Sequence, residues 1–225
     1  YYQTQGIVAD EEWQTMLQSF QTPLPLTFRV NMSGKFREST KRKLVDELFP
    51  QVTRDNVHMR PPKCLKWYPD SLAWQIDIPK DALKGSEGLQ TLRNFIVRAN
   101  EVGAITRQEA VSMIPPLLLD VEPEHRVLDM CAAPGSKTFQ LLEMLHAKSN
   151  SSGSGSSSSV KNIPTGVVVA NDASLQRANL LTHQTKRSNS PCLLVTNHQA
   201  QKFPFLRETQ KSDDGQNNDT SDGKN

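Results

Sequence analysis

The sequence of 225 residues is poor in cysteine, in aromatic side chains and in long apolar runs. Its three cysteines, Cys64, Cys131 and Cys192, are scattered and form no C-x-x-C pair. That spacing excludes a recognisable zinc site and a disulfide framework, so no metal is expected. Free thiols fit a cytosolic or nuclear compartment. Aromatic residues make up 6% of the chain and hydrophobic residues 36%. This is little for one large core and too much for a wholly disordered chain. The longest apolar run, Met113 to Leu119, contains two prolines. A bilayer span takes about 20 apolar residues, so no membrane-crossing helix is expected. No charged-then-apolar segment opens the sequence, and secretion is not expected either.

Charge is close to balanced, at +2 overall, but it is unevenly placed. Between Arg29 and Lys66 stand ten Lys and Arg (29, 35, 37, 41, 42, 43, 54, 60, 63, 66) against four acids (38, 46, 47, 55). With Trp67 and Tyr68 beside it, this block fits a surface that tracks phosphates and stacks bases. A solvated helix face with two core aromatics fits equally well.

Two stretches lack the means to fold. Residues 149–159 read SNSSGSGSSSS, the composition of a flexible linker. Residues 211–225 carry no apolar side chain and cannot offset the entropy cost of ordering. The rest divides into a small α+β domain over 1–80, a second domain over 81–206 and a disordered tail over 207–225. In the first domain, Trp13, Met16, Leu17 and Phe20 form one face of a helix that Pro23 and Pro25 end. A strand follows at 26–30, with Leu26, Phe28 and Val30 on its apolar face. Ser39 or Thr40 caps a helix that Pro50 stops. A second strand runs from Ser71 to Ile78.

In the second domain, Thr106 and Glu109 have capping-box spacing ahead of a helix that Pro115-Pro116 ends or kinks. A strand at 127–130, a small-residue turn at 131–138 and a helix through Leu145 follow. The apolar strand 167–170, a helix near 175–181 and a strand at 192–196 complete the order. Strand, helix, strand, helix, strand opens a doubly wound parallel α/β sheet.

Ligands in such sheets bind beyond the carboxyl ends of the strands. There the turn Cys131-Ala132-Ala133-Pro134-Gly135-Ser136-Lys137 presents small residues and a helix N-terminus. The next strand ends at Asp172, where a carboxylate typically holds ribose hydroxyls. Gly135-Ser136-Lys137-Thr138 is not a phosphate-binding P-loop, because Ser136 separates the glycine from the lysine and the earlier glycine is missing.

The string Asp129-Met-Cys-Ala-Ala-Pro-Gly-Ser-Lys-Thr138 resembles the cofactor motif of the Nop/Sun-type RNA cytosine-5 methyltransferases. The likeness extends to Tyr1-Tyr2, Glu12-Trp13, Pro23-Leu-Pro25, Thr27 to Asn31, Gln108 to Pro115 and Asn171-Asp172, and resembles the eukaryotic tRNA-methylating branch. The resemblance implies a Rossmann-like fold that binds S-adenosylmethionine, with RNA, most plausibly tRNA, as partner and the nucleus, nucleolus included, as location. It implies that Cys131, Ala132, Ala133, Pro134, Gly135, Ser136 and Lys137 line the cofactor and that Asp172 binds its ribose. Lys137 would also pair with nearby acids, unless it is only a solvated helix-start lysine. The family places an acid near Gln199, to reach the adenine amino group, so that contact would be weaker here or made by the amide oxygen.

Methylating carbon 5 of cytosine requires a thiolate to attack carbon 6 and a base to remove the carbon-5 proton. The family carries its two cysteines for this in Pro-Cys-Ser-Gly and Thr-Cys-Ser loops, and neither string occurs here. Cys192 opens a strand, Cys131 lies in the turn and Cys64 in the basic block, so none is assigned the catalytic role. The chain therefore reads as the amino-terminal portion of a tRNA cytosine-5 methyltransferase, inactive by itself. A noncatalytic truncated RNA- or cofactor-binding protein is the alternative.

Overall fold

The structure, a computed structural model, describes residues 1–57, 59–78, 85–151 and 163–204, with backbone alone for 149–151. The tail over 207–225, most of the Ser-rich stretch and the boundary expected at residue 80 lie outside the described residues. The start of the Ser-rich stretch is backbone of a helix that reaches Ser151.

Two sheets organise the chain. The first is antiparallel, in the order β2 (Lys63–Cys64), β3 (Ala73–Ile76), β1 (Leu26–Val30), β4 (Ile105–Arg107). Phe28, Trp74 and Ile76 pack under α3 (Phe49–Asp55) and α4 (Glu87–Glu101) through Phe49, Val52, Leu92 and Ile96. This core draws on α4, β4 and Met113, all of which lie beyond residue 80.

Several elements depart from expectation. The helix α1 (Trp13–Gln21) forms, but none of its residues is buried; Phe20 is 71% exposed and its apolar face has no core to meet. Ser39 and Thr40 lie inside α2 (Arg37–Arg42) and are not its caps. Pro50 does not end the helix, which runs on to Asp55. A π-turn over Lys43–Leu48 widens the backbone just before it. That spacing accommodates a ring that would otherwise crowd the carbonyl four residues back.

Thr106 is no cap either. It is a buried residue of β4 paired with Arg29, and α5 (Ala110–Leu118) starts from Glu109 without a side-chain cap. Both prolines stay inside α5. Pro116 cannot donate to the Ser112 carbonyl, and the Gln108 amide does so instead at 2.9 Å. Gln140 likewise donates to the Met113 carbonyl at 2.8 Å.

The second sheet is parallel, in the order β5 (Arg126–Asp129), β6 (Val167–Asn171), β7 (Leu193–Thr196). The crossover helices α6 (Ser136–Ser151) and α7 (Leu175–Thr185) both cover the face that carries Val127, Val168, Ala170 and Val195. The opposite face holds Leu128, Val169 and Leu194 in register. Leu128 and Leu194 are exposed there, so among the described residues the sheet is covered on one side only. β5 has β6 as its single strand partner among those residues.

Candidate functional site

The turn after β5 is tied to the end of β6 from both sides. The Ala132 N–H donates to the Asn171 carbonyl at 2.8 Å, and the Ala133 N–H donates to Asp172 Oδ2 at 3.2 Å. The Asn171 side chain donates to the carbonyls of Met130 and His198, at 3.0 and 2.8 Å, and accepts from Thr196 and the His198 N–H. One buried amide thus gathers the loops after β5, β6 and β7, as the carboxyl ends of adjacent parallel strands allow.

Within the turn, Gly135 has φ +107°. That backbone is strained for any residue with a Cβ, and a Cβ there would meet Leu181 Cδ1 at 2.9 Å, so Leu181 would have to shift. Ala132, Ala133 and Gly135 are buried, Ser136 and Lys137 half-buried, and Cys131 and Pro134 exposed. The turn leads into the N-terminus of α6, whose first amides favour negative charge. Lys137 makes no ion pair within 4 Å among the described residues; its charge instead acts on Asp129. The expected pairing of Lys137 is therefore a field effect, because the lysine is not in contact with an acid.

Asp172 is buried, and its carboxylate accepts from the N–H groups of Ala133 and Ser174 and faces Arg177 Nε at 3.5 Å. A carboxylate offers about four acceptor positions, so one remains for a hydroxyl. Gln199 is exposed one residue beyond His198, on the loop that Asn171 holds next to the turn. The nine expected site residues therefore gather at one end of the parallel sheet.

Further side chains support the turn. Arg177 donates to the Ala133 carbonyl at 2.6 Å and so clamps the turn from α7. Asp129 accepts from the Thr138 hydroxyl at 2.8 Å. Burial pushes the Asp129 carboxyl up against the pull of Thr138, the Cys131 N–H and Lys137. Arg29 reaches from β1 to the Ser136 carbonyl at 3.5 Å and to Gln108 Oε1 at 2.7 Å. The i-to-i+9 spacing of Asp129 and Thr138 was visible in the motif, but the long-range contacts of Arg29 and Arg177 have no local signal.

The basic block divides in two. Arg29 is fully buried and leaves the surface. Of the other nine cations, Lys35, Arg42, Lys43, Arg54, Arg60, Lys63 and Lys66 are exposed and Arg37 and Lys41 half-exposed. Tyr68 is 2% exposed, and burial pushes its phenol up to about 12. Of the expected stacking pair, only Trp67 is available to a partner.

Residues 116–213 match the family described as 16S rRNA methyltransferase RsmB/F. Along 92% of its length the chain is 44% identical to a multisite-specific tRNA:(cytosine-C(5))-methyltransferase of Saccharomyces cerevisiae. Over the same share it is 46% identical to a tRNA (cytosine(34)-C(5))-methyltransferase of Drosophila melanogaster. It spans 29% and 28% of those proteins, under a third of each. Among solved structures, NSun6 from Pyrococcus horikoshii with SFG superposes with a TM-score of 0.55 at 15% identity, over 83% of this chain and 61% of that one. A methyltransferase homolog protein from the same organism gives a TM-score of 0.51 at 22% identity, over 80% and 45%. The likeness establishes the fold, a Rossmann-like α/β arrangement built on the parallel sheet.

Proposed function

We propose that this chain is the cofactor-holding part of a tRNA cytosine-5 methyltransferase, with S-adenosylmethionine held by the 131–137 turn, Asp172 and Gln199. The observation that carries the reading is the remaining acceptor position of Asp172, set beside the small-residue turn that leads into the N-terminus of α6. The cofactor supplies the methyl group. The chain's residues bind and orient it: Asp172 accepts a ribose hydroxyl, Gln199 offers its amide oxygen to the adenine amino group, and the start of α6 faces the negative end of the ligand. The RNA is tRNA, and the exposed cations of residues 35–66 attract its phosphates.

We assign the nucleophile's role to none of the three cysteines. Cys192 is buried with its Sγ against the Pro164 carbonyl at 3.5 Å, and Cys64 is paired in β2. Cys131 is exposed in the turn itself, where it borders the cofactor. Photocrosslinking with labelled S-adenosylmethionine followed by peptide mapping tests the reading. Label should fall on the peptides holding 129–138 and 172–177, and label confined to any other segment refutes it.

A further inference from the structure

A separate cavity of about 700 Å³ opens at the far end of α6. Met32, Leu117 and Met144 give it an apolar lining, Trp67 an aromatic one, and Lys35 and Arg37 stand at it as cations. Met144 follows Ser136 by eight residues along α6, which is about 12 Å at the helical rise. The cavity is therefore distinct from the cofactor turn. Its volume is within the range of small-molecule sites, roughly 300–1,000 Å³.

Trp67 is 46% exposed and stands edge-on to Tyr68, with ring centroids 6.1 Å apart. Tyr68 is buried, so the indole has a fixed support and an open remainder. Asp70 and Asp120, also on the lining, hold left-handed backbone, at φ 55° and 43°. Arg37 at 3.3 Å and the Lys41 ammonium, on the Asp70 carbonyl at 2.7 Å, hold the first. Lys148 holds the second at 2.8 Å. Such strain persists only where the surroundings over-determine it.

The charges distinguish this cavity from an ordinary apolar dent. Lys35 lies 5.9 Å from the Phe36 ring and has no carboxylate partner among the described residues. Lys41 meets only the Asp70 carbonyl there. Lys35 on the lining thus lacks a carboxylate partner among the described residues, next to an exposed indole and an apolar floor. An aromatic plane for a base and an ammonium group for a phosphate are what unstacked nucleotides engage.

We propose that this cavity takes an unpaired nucleotide of the RNA, with its base against Trp67 and its phosphate on Lys35. The proposal rests on the RNA-binding reading above. A base-paired nucleotide is already stacked in its helix and has no face to offer the indole, so the site selects single-stranded segments.

The test uses the whole chain, with a short single-stranded oligoadenylate as probe and the same strand in duplex form as control. The single strand should quench the tryptophan fluorescence. The quench is assigned to Trp67 by its loss in Trp67→Phe, which should keep affinity within about threefold, because a phenyl ring still stacks. Trp67→Ala should bind the strand roughly 10-fold more weakly, as loss of a base–aromatic stack predicts, with its salt slope unchanged. Trp67→Ala at wild-type affinity, or equal quenching by the duplex, overturns the proposal. So does an apolar dye that fills the cavity and that oligoadenylate does not displace, which would assign the surface to a protein segment. Binding that Arg42→Glu with Lys43→Glu abolishes while Trp67→Ala leaves it intact sinks the nucleotide site alone. A wild-type chain that binds no RNA sinks the RNA-binding reading with it.

Discussion

Arg29 on β1 and Glu143 on α6, 114 residues apart in sequence, form an ion pair closed to solvent, with side-chain exposures of 0% and 5%. It joins the antiparallel sheet to the helix that begins at the 131–137 turn. Glu143 also accepts from the Met32 N–H at 3.3 Å, and Arg29 also donates to Gln108 Oε1 and to the Ser136 carbonyl. Burial pushes the Glu143 carboxyl up and Arg29 pulls it down, with burial the larger effect.

Removing one partner of this pair should be severe. Arg29→Met leaves a buried carboxylate without its cation, a loss of about 3–5 kcal/mol. Arg29→Met combined with Glu143→Leu removes both charges and should recover much of that loss. Urea denaturation of the single and double variants measures both. A single variant as stable as wild type would show that the two sheets do not depend on the pair.

Asp129 should make stability depend on pH in a particular sense. Its folded pKa is raised, chiefly by burial, so the folded state holds the proton more tightly than the unfolded chain. The stabilisation is fully present below the unfolded carboxyl value, about 3.9. It is lost as pH rises through the raised folded value. Compared with Asp129→Asn, whose amide oxygen still accepts from Thr138, wild type should lose stability across that window. Urea midpoints over a pH series read the difference. Wild type gaining stability relative to the variant as pH rises would mean that the hydrogen bonds from Thr138 and the Cys131 N–H outweigh burial.

Much of this architecture was legible because it rests on local pattern. The run Val167 to Ala170 is apolar without interruption, as a strand covered by neighbours requires. The small residues from Ala132 to Ser136 mark a turn that backbone must approach closely. What was not legible depends on partners far along the chain. The alternation in Leu26 to Val30 predicts one apolar face, yet both faces are buried, because Thr27 and Arg29 meet Gln108 and Glu143. Arg29 reads as surface charge until Glu143 is known to lie across from it. Pro50 reads as a helix end, and Pro115-Pro116 as an end or a kink. A π-turn and the Gln108 side chain let the backbone continue past them.

The exposed cations should bind RNA without regard to sequence. Charge reversal at Lys41, Arg42 and Lys43 should weaken all RNAs alike, since phosphate contacts carry no base information. It should also flatten the dependence of affinity on salt, because fewer counterions are released. Filter binding at several salt concentrations checks both effects. A wild-type affinity indifferent to salt would make this block an ordinary solvated face.

Calorimetric titration of S-adenosylmethionine into the wild-type chain and into Asp172→Ala tests the central claim most directly. A hydrogen bond to a charged group contributes about 1.5–3 kcal/mol, so the variant should bind roughly 10- to 100-fold more weakly. Matched melting curves show whether loss of the Ala133 and Ser174 contacts has unfolded the turn. Weakened binding by a variant that melts as wild type does is the predicted result. Equal affinity in the two proteins, or no binding by the wild-type chain, would contradict a cofactor site at the end of β6.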